Sequence, residues 1–499
     1  MVVLSIDAGT TGVRCMVVGQ RGEVLGIGRR SWTYTTPEYL EIAKDFNPGQ
    51  FWDLTCTVVR EALKSSRMPT SKLEGISTTS QRHGGVFLDA DGKELYAGPN
   101  VDARGAMTQY VIEDNLGTRY HQITGCWPPM LFFPSRLAWF EEEQPETYGA
   151  ISHIMSIADW ITFKLSGAVS TDLSSGSATG FMDVKSGTWS PDVISAVGID
   201  RDVLPEVRVA GSKVGEITRQ AEKACGLPLG MPVIQGGTDT HCALLACEAA
   251  VGDLAVIAGS TTPVMVVLDE PTCDPEQKLW TSRHILPDQW TMESNATLTG
   301  AYLQWVVHLL CELSDDPDAC MKKTFGRLAE LVRNIPPGSQ ETTVAIGPNI
   351  MDCRKMTDVP LARMFFPQPE LPQVVPLDAP TLIHAVLENI AYSVRGNCEQ
   401  LVKHATSDTV KMIGGMTRSP FWSELVANVL RRSVRVPVQS EGSLLGAAMC
   451  AAKGVGLHKS ITDAGRSMVQ WQPVVPPDQR ADDYESYYMH WKEVWCGGE

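Results

Sequence analysis

Apolar residues crowd positions 2–6 and again 13–18, and between them stands the short polar stretch Asp7-Ala8-Gly9-Thr10-Thr11. This pattern predicts two strands joined by a tight turn. Helical spacing follows over 50–65, then a strand at 73–79, a polar turn, and a strand at 85–89 that ends in the hairpin signal Asp91-Gly92. Helical patterns cover 135–145 and 153–166, the second closing at Gly167. Near residue 232 comes another strand-to-loop-to-helix passage, PVIQGGTDTHCALLACEAA. The segment DLAVIAGSTTPVMVVLDE then echoes the opening: an apolar strand, a Gly259-Ser260-Thr261-Thr262 turn, an apolar strand. Helices are expected near 300–312, 318–333 and 379–404, then a strand–turn–helix at VKMIGGMTRSPFWSELVANVL and an apolar helix at SLLGAAMCAAKGVG. The repeated strand–turn–strand unit predicts a duplicated α/β fold with one phosphate-facing turn in each half.

Composition narrows the partners. With 499 residues the chain is too long for a single core, and two large domains are expected. A formal charge of −16 speaks against a nucleic-acid surface, which needs a basic stripe that no segment supplies. Thirteen cysteines, scattered and without a CxxC pair, read as free thiols in a reducing compartment. The N-terminus lacks the basic region of a signal peptide, and the most apolar stretches, 242–251 and 443–452, are interrupted by Glu248 or followed by Lys453 before they could span a bilayer. The expectation is a cytoplasmic protein with no membrane segment.

The chemistry starts at the first turn. Glycine with small hydroxyl residues lets backbone N–H groups and Thr Oγ atoms converge on an anion. Asp7, at the mouth of that turn, then faces a phosphate-bound Mg²⁺ through water. The competing reading is a plain hairpin turn capped by Asp, since Gly and Asp dominate turns for conformational reasons alone.

Four patterns stand in order along the chain: Asp7-x-Gly9-Thr10-Thr11-x-x-Arg14, Gly236-Gly237-Thr238-Asp239, Gly259-Ser260-Thr261, and Gly414-Gly415-Met416-x-x-Ser419 followed by Trp422. Together they resemble the FGGY family of carbohydrate kinases, within the actin-like ATPase-fold superfamily. A fifth, Gly300-Ala301-x-x-Gln304-Trp305, is similar to a nucleotide-side segment of the glycerol kinase branch. The resemblance implies an α/β fold of two duplicated actin-like (ribonuclease H-like) domains with an interdomain cleft. Residues 1–249 would hold the first phosphate turn, sugar site and catalytic base, and 250–499 the second turn and adenosine site. It also implies ATP and Mg²⁺ as cofactors, with Asp7 at the metal.

By the same resemblance Asp239 is the catalytic base, because a sugar hydroxyl is a poor nucleophile until a carboxylate takes its proton. Its alternative role is as a helix N-cap, which Asp favours. Gly9, Thr10, Thr11 and Arg14 would handle the β- and γ-phosphates, with Gly259, Ser260 and Thr261 closing on them from the other half. Gly414, Gly415 and Met416 would line the adenosine, and Gly300, Gln304 and Ser419 would contribute polar contacts near the nucleotide. Bound ATP would thus bridge two domains that close about a hinge near 245–255, with Gly252 as the candidate pivot.

Gln81, Arg82 and His83, between two strands, are placed to meet a polyhydroxyl substrate, together with Asp102 and Thr240. The alternative for Asp102 is a structural ion pair with Arg104. The glycerol kinase branch has Gln-Arg-Glu and the xylulokinase branch Met-His where this chain has Gln-Arg-His. Asn100-Val101-Asp102-Ala103-Arg104, Pro134-Ser135-Arg136, Ala158-Asp159-Trp160 and Pro336-Pro337-Gly338-Ser339 are similar to the autoinducer-2 kinase branch. The Gly-Glu-Arg segment of many sugar kinases is replaced by IGPNIMDCRK, which argues against glycerol kinase and ordinary xylulokinase alike. The expected partner is a small sugar or polyol, and the assembly considered is a homodimer. Xylulokinase-, ribulokinase- or glycerol/erythritol-kinase-type activity are the alternatives within this class. An actin- or chaperone-like ATPase without a sugar acceptor is the alternative outside it.

Overall fold

The structure is a computed structural model and describes residues 1–356, 358, 361–368 and 377–496. By compactness the chain forms two units, each built from three segments. The first contains Met1–Glu248, Val267–Met292 and Glu441–Gln470, and the second Ala249–Val266, Glu293–Ser440 and Trp471–Glu499. Among the described residues no helix is long and apolar enough to cross a membrane.

The first sheet is built on β1 (Val2–Ala8), β2 (Gly12–Gly19), β3 (Val24–Ser31), β4 (Leu73–Ser80), β5 (Lys213–Glu216) and β6 (Pro232–Thr238), in the order β5-β6-β4-β1-β2-β3. The hairpin β1–β2 is antiparallel with Asp7 opposite Arg14, while β4 runs parallel to both β1 and β6. Parallel neighbours need covering helices, and β1 is buried along its whole length. One cover is α1 (Pro48–Ser66), whose apolar Phe51, Trp52, Cys56, Val58, Val59 and Ala62 recur at helical spacing and face the core. Asn47 caps it by accepting from the Gln50 N–H. Strand β6 leads directly into α2 (Asp239–Ala246), so Asp239 is the first residue of that helix.

The second sheet repeats the hairpin. Its strands are β7 (Leu254–Ile257), β8 (Thr261–Leu268), β9 (Trp280–Arg283), β10 (Trp290–Leu298), β11 (Val410–Ile413) and β12 (Val434–Arg435), in the order β9-β10-β8-β7-β11-β12. As in the first sheet, the hairpin β7–β8 is antiparallel and the next strand, β11, lies parallel to β7. Helices α3 (Gly300–Cys311), α4 (Ala379–Leu401) and α5 (Pro420–Leu430) belong to the second unit, and α6 (Gly442–Gly454) to the first. Helix α6 packs on α2 so closely that a Cβ at Gly446 would meet the Cys242 carbonyl.

Three expectations change. Residues 153–156 form a strand, and the helix begins at Ile157 because the Ser156 hydroxyl caps it at the Asp159 N–H. The helical stretch 318–333 is two helices, Pro317–Gly326 and Leu328–Val332, broken at Arg327. Cys311 and Cys320 are paired as a disulfide, whereas free thiols were expected throughout.

Candidate active site

In the first unit the turn after β1 is held from behind. The Thr10 carbonyl accepts from Tyr34 Oη and Trp32 Nε1, and its hydroxyl accepts from the Asn100 side-chain amide at 3.0 Å. Gln81 reaches the same turn, donating to the Gly9 carbonyl at 3.5 Å and accepting from the Asn100 N–H at 3.2 Å. Neither packing nor backbone angle requires glycine at position 9: the nearest atom to an added Cβ is the Gly12 carbonyl oxygen at 3.6 Å. Bare backbone faces the open side of the turn, as close approach of an anion needs.

Below the turn Asp7 is fully buried. Its Oδ2 accepts from Arg14 and, at 2.6 Å, from the Ser443 hydroxyl. Its Oδ1 has no hydrogen-bond partner among the described residues. Arg14 also pairs with Glu441 at 2.5 Å, and these carboxylates, Asp7 foremost, hold its guanidinium firmly charged.

Asp239 lies in the same unit. Its Oδ1 accepts from the Thr240 N–H at 2.7 Å and the Thr240 hydroxyl at 3.0 Å, leaving the helix N-cap position to Thr238. Burial, then the Asp7 charge, pushes its carboxyl up to about 6, while Arg82 pulls the other way. A carboxylate poised there is ionised at neutral pH yet basic enough to take a proton. The strand end before it is fixed by the Thr238 N–H donating to Ser174 Oγ at 3.1 Å, with Ser174 donating to the buried Asp172 at 2.7 Å.

The segment after β4 lines a small cavity with Phe133, Ser175, Thr179 and Thr238. His83 has a left-handed backbone, φ 62°, and its Nδ1 lies 3.0 Å from the Ala178 carbonyl. Its Nε2 is buried without a hydrogen-bond partner among the described residues, and burial and the Arg82 charge pull its pKa down to about 3. A neutral imidazole with one uncommitted nitrogen can serve a hydroxyl. The Arg82 guanidinium carbon lies 5.8 Å from the Trp280 ring centroid.

Asp102 is placed differently. It accepts from Tyr96 Oη at 2.6 Å, Arg104 Nε at 2.8 Å and the Lys44 N–H at 2.9 Å, all in a buried network. The ion pair with Arg104 is therefore present, and Asp102 is not among the residues lining the cavity at 80–84.

In the second unit three segments meet at the turn after β7. The Met416 N–H donates to the Ala258 carbonyl at 3.1 Å, and the Ala301 N–H to the Ser260 carbonyl at 3.3 Å. A Cβ at Gly300 would run into the Gly259 carbonyl, and one at Gly414, where φ is 125°, into that of Ala258. Gly415 differs from both: among the described residues nothing lies within 4 Å of an added Cβ, so packing does not require glycine there. Gln304 is exposed one turn beyond Gly300, and Ser419 Oγ is buried with no hydrogen-bond partner among the described residues.

Residues 2–246 match the N-terminal domain of the FGGY family of carbohydrate kinases, and residues 254–455 match its C-terminal domain. The chain belongs to that family. It is an ATP-dependent carbohydrate kinase. It is 26% identical over 502 residues to the autoinducer-2 kinase of Photorhabdus laumondii, covering 99% of this chain and 94% of that one. The autoinducer-2 kinase of Klebsiella pneumoniae is also 26% identical, over 503 residues, 99% of this chain and 93% of that one. Among solved structures, xylulose kinase from Rhodospirillum rubrum superposes with a TM-score of 0.82 at 24% identity, covering 100% of this chain and 99% of that one. Plasmodium falciparum glycerol kinase with ADP gives a TM-score of 0.82 at 16% identity, with 99% and 97% covered.

Two side chains that meet Arg14 and Asp7, Glu441 and Ser443, are not marked in the sequence. They open helix α6, more than four hundred positions after the Arg14 and Asp7 they contact, and nothing local marks them. The unpartnered buried Oδ1 of Asp7 fits a hydrated Mg²⁺. Among the described residues no three His, Cys, Asp or Glu side chains gather to hold a metal.

Proposed function

We propose that this kinase phosphorylates a small linear polyhydroxy compound, with Asp239 as general base and Asp7 oriented towards a Mg²⁺ carried in with ATP. The observation that carries this reading is the Asp239 carboxylate: half-buried, hydrogen-bonded by Thr240, and raised to about 6 within the same unit as the 80–84 segment. The substrate hydroxyl donates its proton to Asp239 as the oxygen attacks the γ-phosphorus in line, and ADP leaves. Mg²⁺, when bound, neutralises charge on the β- and γ-phosphate oxygens. Arg82 and the unpartnered His83 Nε2 orient the acceptor's hydroxyls, while Gln81 couples that segment to the phosphate turn. The uncluttered backbones at Gly9, Gly259 and Gly415 leave room for phosphates and adenosine.

For the acceptor, the full-length similarity to autoinducer-2 kinases and the missing Gly-Glu-Arg segment favour an autoinducer-2-like substrate over xylulose or glycerol. Its place of action is the cytoplasm, where ATP is plentiful. ADP release measured against autoinducer-2, xylulose, gluconate and glycerol tests the reading. The highest kcat/KM should fall to autoinducer-2; a preference for another acceptor overturns the substrate, and ATP turnover that needs no acceptor overturns the kinase chemistry at this site.

A further inference from the structure

The motif Pro336-Pro337-Gly338-Ser339 takes no part in the kinase site. In its loop Ser339, Gln340 and Glu341 all have left-handed backbones, φ 47°, 53° and 62°. Side chains with a Cβ resist that conformation, and three in succession persist only where their surroundings over-determine them. The Glu388 carboxylate on α4 does so here, accepting from the Gly338 N–H at 2.8 Å and the Ser339 hydroxyl at 2.7 Å.

Glu388 is 2% exposed, and no Arg or Lys pairs with it among the described residues. His384, 3.6 Å away, is no counter-ion, because burial pulls its pKa down to about 4. Burial pushes the Glu388 carboxyl itself up to about 8. A carboxylate in that position takes either a proton or a cation.

Beside it lies a cavity with room for about one water-sized guest, lined by Gly338, Thr342, Thr343, Glu388, Tyr392 and Tyr487. Tyr392 is 4% exposed, and its hydroxyl has no partner among the described residues. Every polar atom these side chains offer is an oxygen, the donor set of a hard cation, and the two phenol rings add faces that attract positive charge. One carboxylate balances one positive charge.

We propose that this cavity binds a monovalent cation of alkali-metal or ammonium size, held by the Glu388 carboxylate and the Tyr392 hydroxyl, and that the ion fixes the loop 338–342 against α4. The inference is independent of the kinase substrate. Thermal unfolding of the full chain is followed at pH 8.5 in KCl, NaCl, NH4Cl or choline chloride at equal ionic strength. At least one small cation should raise Tm saturably, by about 2–4 °C at tenfold excess over its Kd, and choline should not. The ranking of the three salts identifies the ion. Glu388→Gln should abolish the saturable rise, and Tyr392→Phe should weaken the cation's apparent affinity by about 2- to 10-fold. Identical curves in all four salts overturn the proposal, as does an undiminished rise in a Glu388→Gln variant that retains wild-type circular dichroism and kinase turnover. Should Glu388→Gln fail to fold, an unchanged cation affinity in Tyr392→Phe overturns it equally.

Discussion

The two glycine–hydroxyl turns of this kinase share a backbone plan and differ in what lies beneath them. Both join an antiparallel hairpin whose first strand runs parallel to a third. In the first, the residue two before the glycine is Asp7, tied to Arg14 and Ser443; in the second it is Ile257. Side chains brace the first turn: Tyr34, Trp32, Asn100 and Gln81. Backbone braces the second, through the bare Gly300 and Gly414 and the Met416 and Ala301 N–H groups. The two share a strand–turn–strand plan, but Asp7 stands before the first turn where Ile257 stands before the second. Duplicating a fold thus does not duplicate its side chains, and on the proposed reading the metal and proton-transfer roles fall on the unit that holds Asp7 and Asp239.

The sharpest test of that asymmetry is Asp239→Asn. Turnover should drop by about 10² to 10⁴, the usual contribution of a positioned base, with ATP affinity near wild type. A variant that keeps most of its kcat leaves Asp239 only a structural place at the helix start. Next, Asp7→Asn should raise the Mg²⁺ needed for half-maximal activity by about 10- to 100-fold, with acceptor affinity by calorimetry unaltered. Equal losses for both ligands would erase the division between metal and acceptor roles.

The proton balance gives a third test. As the proposed base, Asp239 would act only when ionised, and its pKa is raised to about 6, so kcat/KM should fall about tenfold per unit as pH drops below about 6. An acid limb near 4, the ordinary carboxylate range, would mean that another group sets the rate.

In the backbone-braced turn, Gly414→Ala should cost about 1–3 kcal/mol of stability, because its Cβ meets backbone. Gly415→Ala should stay within about 0.5 kcal/mol and instead raise KM for ATP. Denaturant melts beside ATP titrations separate the two, and a destabilised Gly415→Ala would return that glycine to an internal packing role. The smallest effect belongs to His83→Ala. It should shift acceptor KM by about 2- to 10-fold, the worth of one hydrogen bond, and leave KM for ATP unchanged.

What was legible in the sequence was local. The strand–turn–strand echo, the 50–65 helix and the Gly167 stop all depend on neighbours a few residues apart, and each stands as read. Asp239 opening its helix was visible for the same reason, although its carboxylate turns to Thr240 and does not cap. Contacts made by long excursions of the chain were not visible. Glu441 and Ser443 reach Arg14 and Asp7 only after the chain has built most of the second unit. Asp102 reads alike as a ligand or an ion-pair partner until Tyr96, Lys44 and Arg104 are seen around it. The antiparallel pairing that makes 153–156 a strand needs the distant residues 85–88 as its partner, which helical periodicity alone does not register.

Helix α6 has a consequence for how the chain is made. The first sheet and α2 are complete in sequence by residue 246, yet the helix that covers them, with Gly446 against Cys242, lies at Gly442–Gly454. At ordinary ribosomal speeds that cover emerges about 10 to 45 s later. Throughout that interval the nascent first unit exposes the apolar seam that Leu444, Leu445, Ala448 and Cys450 will share, and Asp7 and Arg14 wait for Ser443 and Glu441. A ribosome stalled anywhere between 246 and 442 therefore presents a sticky, unfinished domain, and chaperone occupancy should peak on nascent chains of those lengths.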